Sequence, residues 1–278
     1  MDLGVNLFLT DTSIAPAKLA RECEDRGFTA LYMAEHTHIP VSRTTPYPMG
    51  GELPENYKRT LDPFVALATA AAVTERLRIG TCICLVTEHD PIALAKAVAT
   101  LDHVSEGRFT FGVGVGWNKE EAADHGIAWD QRRALTAERL KMMKALWTEE
   151  EASFTGEHVQ LAPSWAWPKP VQKPHPRILV GAAAGPVTFA GIADHADGWM
   201  PIGGKGVREN LPKLRAAFEA AGRDPDTIEV VPCGVIGDEG KLAHFAELGI
   251  KEATLQLPLG DETELMHALD AYTKLIGT

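Results

Sequence analysis

Positive charge, cysteine and long apolar runs are all scarce in this sequence of 278 residues. The 27 Lys and Arg residues are outnumbered by 38 Asp and Glu residues, and the net charge of −11 repels nucleic acid phosphates and anionic lipid surfaces. The longest apolar stretch, residues 65–73, contains a Thr and is far too short to span a bilayer. The sequence opens on a strand-like LGVNLF segment with no basic targeting region before it. We therefore expect a cytoplasmic protein that binds neither nucleic acid nor membranes.

The four cysteines form neither a disulfide framework nor a spaced zinc-ligand pattern. Two of them, Cys82 and Cys84, alternate along a predicted strand, so their thiols point to one face. A metal site at this pair stays open as an alternative, although the spacing supplies no second pair of ligands. Reduced thiols agree with the expected cytosolic location.

Short β-branched or apolar runs alternate with longer amphipathic segments along the whole chain, which is typical of repeated βα units. Predicted strands cover residues 4–8, 30–33, 77–85, 109–113, 178–180, 198–200, 228–235 and 253–257. Predicted helices cover residues 17–26, 62–75, 92–105, 131–149, 186–195, 207–221, 241–248 and 262–276.

The first predicted strand is not followed by a GxGxxG motif, which argues against an open, doubly wound dinucleotide-binding sheet. Eight βα units in a chain of this length instead predict an α/β fold, a (β/α)8 TIM barrel, as a single domain over residues 1–278. Two connections, residues 34–61 and 150–177, are too long to be simple turns. The first leaves the C-terminal end of its strand, where barrel enzymes place their chemistry, so we interpret it as a wall or lid of a substrate pocket.

Glycines alternate with valines after the fourth predicted strand, in the sequence GVGVGW that ends at Trp117. The pattern, which includes Gly114 and Gly116, leaves one face of the strand end without side chains, so that a flat ring could lie there. The other interpretation is a strand narrowed for close helix packing.

Small residues follow the fifth predicted strand, from Gly181 through Ala182 and Ala183 to Gly185, directly before a predicted helix. Exposed backbone N–H groups at a helix N-terminus form an anion site. The other interpretation is an ordinary turn with proline at the first helical position.

The second predicted strand ends in a Glu-His-Thr-His sequence at the expected mouth of the barrel. His36 is suited to proton transfer near neutral pH, with Glu35 as its neighbour or as a cofactor contact. The alternatives are a hydrogen-bonding loop histidine and a metal-binding pair of His36 and His38. The third predicted strand ends in Cys82, Ile83 and Cys84, an apolar stretch that either backs a hydrophobic ring or is simply core.

Together, these segments resemble the bacterial luciferase-like monooxygenase superfamily, and most closely its coenzyme F420-dependent oxidoreductase branch. The matching stretches are residues 34–36 (AEH), 74–81 (TERLRIGT), 91–96 (PIALAK), 99–102 (ATLD), 105–108 (SEGR), 112–117 (GVGVGW), 120–121 (EE), 145–147 (ALW), 154–157 (FTGE), 168–172 (PKPVQ) and 197–201 (DGWMP). They keep their order over most of the chain, which is far more specific than any single motif.

The resemblance implies a luciferase-like barrel whose C-terminal face holds F420, a deazaflavin that carries a hydride on its C5 carbon and does not readily activate oxygen. It implies a bulge behind the cofactor ring, often with a cis peptide bond, within residues 82–84. It also implies that loop 181–185 contacts the cofactor tail or a phosphate.

The resemblance further assigns roles around the mouth. Glu35 and His36 lie where sugar-phosphate dehydrogenases of the superfamily have an Asp-His pair with a catalytic His, so His36 is the candidate for proton transfer. Gly114, Gly116, Trp117 and Glu120 are implied cofactor contacts, whereas those dehydrogenases have an acidic residue where this chain has Trp117. Their substrate is therefore not carried over. Homodimers are common among such relatives, and a homodimer is one assembly open to this chain.

Four functions compete at this level. F420-dependent hydride transfer to or from a small organic substrate is favoured, and an FMN-dependent monooxygenase that uses reduced flavin and oxygen is the alternative within the superfamily. A metal-dependent barrel hydrolase that uses His36 and His38 belongs to another class. A binding protein that keeps the cofactor without turnover is the fourth.

Overall fold

The computed structural model describes residues 1–277, and its main sheet is parallel throughout. Its eight main strands are β1 (Asp2–Leu7), β2 (Ala30–Met33), β3 (Arg78–Thr81), β4 (Phe109–Gly114), β5 (Arg177–Val180), β6 (Gly198–Trp199), β7 (Glu229–Val230) and β8 (Glu252–Gln256). Their order in the sheet is β7-β6-β5-β4-β3-β2-β1-β8, so neighbours in sequence are neighbours in space. This order is what a singly wound barrel requires.

The chain that follows β7 closes the sheet against β8. Val235 pairs in parallel with Leu255, donates its N–H to the Thr254 carbonyl at 2.9 Å and accepts the Gln256 N–H at 2.9 Å. Hydrogen bonds thus join the two edges of the sheet, as in a closed barrel. The predicted (β/α)8 TIM barrel is confirmed.

Helices cover the outside of the barrel and connect its strands. Over the described residues they are α1 (Pro16–Asp25), α2 (Pro63–Ala71), α3 (Pro91–Val104), α4 (Lys119–Asp124), α5 (Arg132–Thr148), α6 (Pro186–His195), α7 (Val207–Ala220), α8 (Glu239–Glu247) and α9 (Glu262–Thr273). Four of them begin with proline, whose fixed φ and missing N–H suit the first helical position. Between residues 1 and 277, no helix combines the length and the apolar character that crossing a membrane demands.

Three predicted segments differ from the structure. The strand predicted over residues 77–85 breaks after Thr81, because the chain bulges before Cys84–Leu85 pairs with β4. The strand predicted over residues 228–235 is regular only at β7, since Pro232 has no N–H to donate to the ladder. The segment 150–177, predicted as a loop, contains an antiparallel hairpin of Ala152–Thr155 and Gln160–Ser164.

A charged network and an apolar cluster fill the barrel interior. Arg177 on β5 donates hydrogen bonds to Glu229 at 2.6 Å, to Glu252 at 2.9 Å and to the hydroxyls of Tyr32 and Thr110 at 2.9 and 3.0 Å. The apolar cluster comprises Ala30, Tyr32, Leu179, Met200, Val231 and Cys233, with Cys82 and Ile83 packed against it. The barrel is therefore a packed core, and room for a ligand is left at its mouth.

Strands β3 and β4 approach each other closely at Gly112 of β4. A methyl group at this position would overlap the carbonyl oxygen of Thr81, which is backbone and cannot rotate away. We expect Gly112→Ala to lower the free energy of unfolding by about 2–3 kcal/mol in chemical denaturation. Gly240→Ala at the exposed start of α8 is the matched control and should leave stability unchanged or slightly higher. Equal stabilities of the two variants would contradict this packing.

Candidate active site

His36 lies just after β2 at the C-terminal mouth of the barrel, and it is 9% exposed. Its Nδ1 is 2.9 and 2.8 Å from the two carboxylate oxygens of Glu121. The indole N–H of Trp117 donates to Nε2 over a long 3.4 Å. These partners assign the imidazole proton to Nδ1 and leave Nε2 as an acceptor. A carboxylate that holds a histidine in one tautomer prepares the other nitrogen for general acid–base chemistry.

Aromatic rings surround the His36 imidazole. Phe8 at the end of β1 stacks at 6.4 Å between centroids, Tyr57 lies at 5.2 Å and Trp117 meets it edge-on at 5.8 Å. Tyr57 belongs to a 3-10 helix, Glu55–Lys58, within the long segment 34–61. That segment thus supplies a wall of the mouth, and the wall favours an apolar substrate body beside the histidine.

Glu35 turns to the opposite side of the chain from His36, as neighbours in extended backbone do. Its carboxylate accepts the N–H of Leu85 at 2.6 Å and lies 2.6 Å from Nε2 of His89. Burial lowers the pKa of His89, but the hydrogen bond and charge of Glu35 outweigh it and raise that pKa. Glu35 therefore fixes the chain that follows β3, and the structure does not bring it to the proton-transfer nitrogen.

The two histidines of the His-Thr-His sequence do not converge on a metal. Whereas His36 bonds inward to Glu121, Nε2 of His38 is 3.0 Å from Asp124 at the surface and its Nδ1 is 3.0 Å from the Thr37 hydroxyl. This arrangement removes the basis for a hydrolase built on that pair.

A different group of potential ligands, Glu35, Cys84 and His89, does cluster. Burial, followed by Glu35, raises the pKa of the Cys84 thiol, so it stays protonated. Since thiolates rather than thiols bind metals, these three residues form a hydrogen-bonded cluster of the core rather than a metal centre.

Glu120 and Glu121 diverge on the short helix α4. Hydrogen bonds from Thr45 and Thr44 to Glu120 lower the pKa of its carboxyl, and the Thr44 N–H and hydroxyl lie 2.8 and 2.7 Å from its Oε1. Glu120 thus holds the segment 34–61 against α4, while Glu121 faces the mouth. Sequence reasoning selected Glu120 and missed Glu121. The matching stretch 120–121 contained both, and only the phase of the helix distinguishes them.

Ile83 fills the space beside two glycines of the mouth. A side chain at Gly114 or at Gly181 would collide with Ile83, and the Cys82–Ile83 peptide bond is cis. The sequence predicted an open slot over the bare backbone at Gly114. In the structure, Ile83 occupies this space, so the bare backbone of the GVGVGW pattern accommodates the bulge. Cys82 and Ile83 are half-buried, whereas Cys84 is fully buried.

Gly116 and Trp117 turn the chain from β4 towards α4. The φ of Gly116 is 72°, a left-handed conformation that other residues rarely adopt. The turn places the half-buried Trp117 indole against His36.

Small residues after β5 leave backbone accessible at the start of α6. Gly181 and Ala182 are half-buried, Ala183 is exposed and the space around Gly185 is open. Gly185 is the N-cap and provides no side-chain cap, so the first N–H groups of α6 lack that partner. The Trp199 indole donates to the Ala182 carbonyl at 2.8 Å and holds the loop in place. Such a helix start attracts anions.

A cavity of about 410 Å³ extends from the end of β4 to this loop, between α5 and α6. Its lining includes Gly114, Ala182, Thr188 and Arg133. Arg133 brings a positive charge into a cavity that also borders the N-terminus of α6. The lining also includes the carboxylate of Asp194, so the start of α6 and Arg133 are the two features of this cavity that favour an anionic group.

Glu88 is a buried carboxyl group, 9% exposed, whose Oε2 accepts no hydrogen bond from the described residues. Burial, followed by the negative charges of Glu121 and Glu35, raises the pKa of Glu88 to about 9. Nε2 of His125 lies 3.8 Å from Oε2. At neutral pH the carboxyl group of Glu88 is thus protonated and uncharged, and the negative charge of Glu121 contributes to this state.

The closed parallel barrel, with a carboxylate-paired histidine at the C-terminal ends of its strands, defines the class as a (β/α)8-barrel enzyme. The sequence profile of the family described as luciferase-like monooxygenase matches residues 15–236. The chain belongs to this family.

Several proteins of known sequence or structure are similar to this chain. An uncharacterized protein of Mycobacterium tuberculosis is 48% identical over 262 residues, which cover 93% of this chain and 92% of that protein. An F420-dependent glucose-6-phosphate dehydrogenase of Kineococcus radiotolerans is 30% identical over 230 residues, which cover 77% of this chain and 62% of the relative. An F420-dependent secondary alcohol dehydrogenase, solved with an F420-acetone adduct, superposes with a TM-score of 0.78 over 99% of this chain and 98% of its own, at 17% identity. That last likeness shows the shared fold.

The raised pKa of Glu88 predicts how the free energy of unfolding depends on pH. The unfolded chain ionises this group near its ordinary pKa of 4.5, whereas the folded chain keeps it protonated up to about 9. The stability that the protonated group contributes at low pH is therefore lost progressively as the pH rises between these values, at up to about 1.4 kcal/mol per pH unit. Denaturation of Glu88→Gln should show a stability gain over the wild type that grows from pH 5 to pH 8.

The control for this experiment is Glu219→Gln, at an exposed position of α7. Its unfolding free energy should follow that of the wild type across the same pH range. A constant difference between Glu88→Gln and the wild type would show that Glu88 is ionised in the folded protein.

Proposed function

We propose that this chain is a coenzyme F420-dependent oxidoreductase that moves a hydride between the deazaflavin and a small organic substrate with a hydroxyl or carbonyl group. The buried pair of His36 and Glu121 carries the proposal. Hydride transfer at a carbinol carbon requires that a proton leave or join its oxygen, and an oriented imidazole performs this step near neutral pH. The F420-dependent relatives support the choice of cofactor.

The residues of the mouth divide the work on the substrate. Nε2 of His36 takes the hydroxyl proton when the substrate is oxidised and returns it when the carbonyl is reduced. Glu121 accepts the Nδ1–H and stabilises the imidazolium that forms. The substrate oxygen replaces the indole N–H of Trp117, which makes only a long hydrogen bond, as the partner of Nε2 of His36. The rings of Phe8 and Tyr57 exclude water from this position.

The chain offers suitable groups for the cofactor. F420, when bound, supplies hydride transfer at its C5 carbon. The backbone from Gly181 to Gly185, the start of α6 and Arg133 fit an anionic tail. Of the predicted ring contacts, Cys82, Ile83, Gly116 and Trp117 remain our assignment, whereas the space beside Gly114 is taken by Ile83. Cys84 is enclosed in the core and Glu120 bonds the loop, so we do not retain these two as contacts.

An FMN-dependent monooxygenase is the second candidate, because the matched family is described as luciferase-like monooxygenase and one relative is an FMNH(2)-dependent monooxygenase. FMN also combines a planar ring with an anionic group, and the same cavity suits both. The aromatic wall and the departure at Trp117 favour a substrate with an apolar body over a sugar phosphate. A cytoplasmic location and a homodimer stay predictions from the sequence.

Cofactor titration separates the two candidates. We expect F420 to quench tryptophan fluorescence on binding and to bind at least about tenfold more tightly than FMN. Arg133→Ala should weaken F420 binding and reduce its dependence on salt, because one cation near the anionic tail is lost. Arg208→Ala on α7 is the control and should bind as the wild type does. Tight FMN binding without affinity for F420 would reverse the ranking.

Substitution of His36 tests the proton-transfer role. His36→Ala should lower kcat by roughly 10²- to 10⁴-fold with little change in KM, because the general base is lost while the cavity remains. Stopped-flow absorbance of the bound deazaflavin would report the hydride step. His244→Ala on α8 provides a matched histidine control with unchanged kcat, and wild-type turnover by His36→Ala would remove this residue from the mechanism.

A further inference from the structure

The side-chain amide of Asn56 lies next to the mouth of the barrel and is shielded from solvent. Asn56 belongs to the 3-10 helix Glu55–Lys58 and precedes Tyr57, whose ring is 5.2 Å from that of His36. Neither Nδ2 nor Oδ1 of Asn56 has a hydrogen-bond partner among residues 1–277. Buried polar groups in folded proteins nearly always have a partner, and an unpaired one lowers stability. Within the described chain, this amide thus keeps a donor and an acceptor unused.

Asn56 also borders a cavity of about 290 Å³ at the same end of the barrel. The cavity lies between the chain after β1, the 3-10 helix and the loop that joins β8 to α9. Its apolar wall includes Leu7, Phe8, Pro258 and Leu265. One water molecule takes about 30 Å³ of the liquid, so this volume holds a group of several heavy atoms. Apolar walls with a few polar groups are typical of sites for small molecules.

Phe8 connects this cavity with the His36 site. It lines the cavity, and its ring lies 6.4 Å from the imidazole of His36 and 4.4 Å from the ring of Tyr57 between centroids. The Thr60 hydroxyl donates to the His36 carbonyl at 2.8 Å and so holds the chain after the 3-10 helix against the site. A substrate that presents its reacting oxygen to Nε2 of His36 can therefore extend along Phe8 into the cavity.

The charged residues around the cavity already have partners. Arg59 donates two hydrogen bonds to the carboxylate of Asp11, at 2.8 and 2.7 Å. Glu55 pairs with Lys58 at 2.6 Å, and the side chain of Asp261 caps the start of α9. In the lining that the structure describes, no cation is therefore left free for an anionic ligand.

The hydroxyl groups of the lining serve the loop that follows β1. Those of Thr10 and Thr12 lie 3.2 Å apart, and the Ser13 hydroxyl donates to the Thr10 carbonyl at 3.0 Å. The same Ser13 oxygen accepts the Thr10 N–H at 3.0 Å. Among the described polar groups around the cavity, the amide of Asn56 thus has both of its hydrogen-bonding functions available.

We propose that Asn56 selects substrates that carry a carboxamide at the end distant from the reacting carbon. The inference rests on the proposed function for the reaction at His36. Nδ2 of Asn56 donates to the carbonyl oxygen of the carboxamide, and Oδ1 accepts its N–H. The Cβ–Cγ torsion of asparagine varies broadly, so a side-chain rotation turns the amide towards the cavity. A carboxylate in the same place lacks the N–H for Oδ1 and finds no free cation. Asn56 is thus a specificity-determining residue.

Binding of hexanamide tests the site without cofactor or turnover. In NMR titrations of the whole chain, hexanamide should shift the side-chain amide resonances of Asn56 and bind about tenfold more tightly than hexanoate. Asn56→Leu keeps a similar shape without the polar atoms and should weaken hexanamide binding about tenfold. Gln160→Leu, at an exposed position of the hairpin before β5, is the matched control and should bind as the wild type does. Tighter binding of hexanoate, or unchanged hexanamide affinity in Asn56→Leu, would overturn the proposal.

Thermal unfolding distinguishes a ligand-binding amide from a structural one. Without ligand, Asn56→Leu should raise the Tm, because an unpaired buried amide is replaced by an apolar group. Hexanamide should raise the Tm of the wild type and leave that of Asn56→Leu unchanged, since a ligand stabilises only the protein that binds it. A lower Tm of Asn56→Leu would show that the amide has a partner in the free protein, and it would overturn the proposal.

Turnover separates this inference from the proposed function. With F420, kcat/KM for 5-hydroxyhexanamide should exceed that for 2-hexanol about tenfold, and Asn56→Leu should remove the difference through KM with little change in kcat. A protein that binds hexanamide through Asn56 without affinity for F420 would refute the proposed function and leave the amide site in place. An F420-dependent enzyme that prefers 2-hexanol, or whose preference for 5-hydroxyhexanamide persists in Asn56→Leu, would overturn the selection by Asn56.

Discussion

The direction in which neighbouring side chains point is the constraint on which the mouth of this barrel depends. Consecutive residues in extended backbone face opposite sides, and consecutive residues on a helix lie about 100° apart. Glu35 therefore fixes the chain after β3 while His36 reaches the mouth, and Glu120 holds the long segment while Glu121 meets His36. In each adjacent pair, one side chain holds a backbone segment of the site in place and the other side chain lies in the site.

The small residues of the mouth serve two different purposes. Gly114 and Gly181 make room for Ile83, so the bulge after β3 and the glycines of β4 and β5 depend on one another. Around Gly185, by contrast, the space is open and the helix start is accessible. The first arrangement shapes an apolar surface, and the second presents N–H groups to an anion. Both properties suit a cofactor with a planar ring and a charged tail.

Three buried carboxyl groups, those of Glu35, Glu88 and Glu121, lie behind the mouth, and the cost of burying each charge is reduced in a different way. Glu35 accepts a backbone N–H and pairs with His89, and Glu121 pairs with His36. Burial, followed by the charges of these two groups, raises the pKa of Glu88 and keeps it protonated. A low-dielectric environment makes three ionised carboxylates in one place too costly. The same environment thereby stores a proton beside the histidine that the proposed reaction uses.

The sequence by itself determined the barrel, the position of His36 at a strand end and the small-residue loop before α6, because periodicity and turn chemistry act over a few residues. Only the tertiary structure decided that Glu121, 85 residues from His36, is its partner, and that Ile83 occupies the space beside Gly114 and Gly181. It also decided that α4 turns Glu121 and not Glu120 inward. These contacts arise when segments distant in sequence pack together, and no local sequence pattern indicates which of their side chains then face each other.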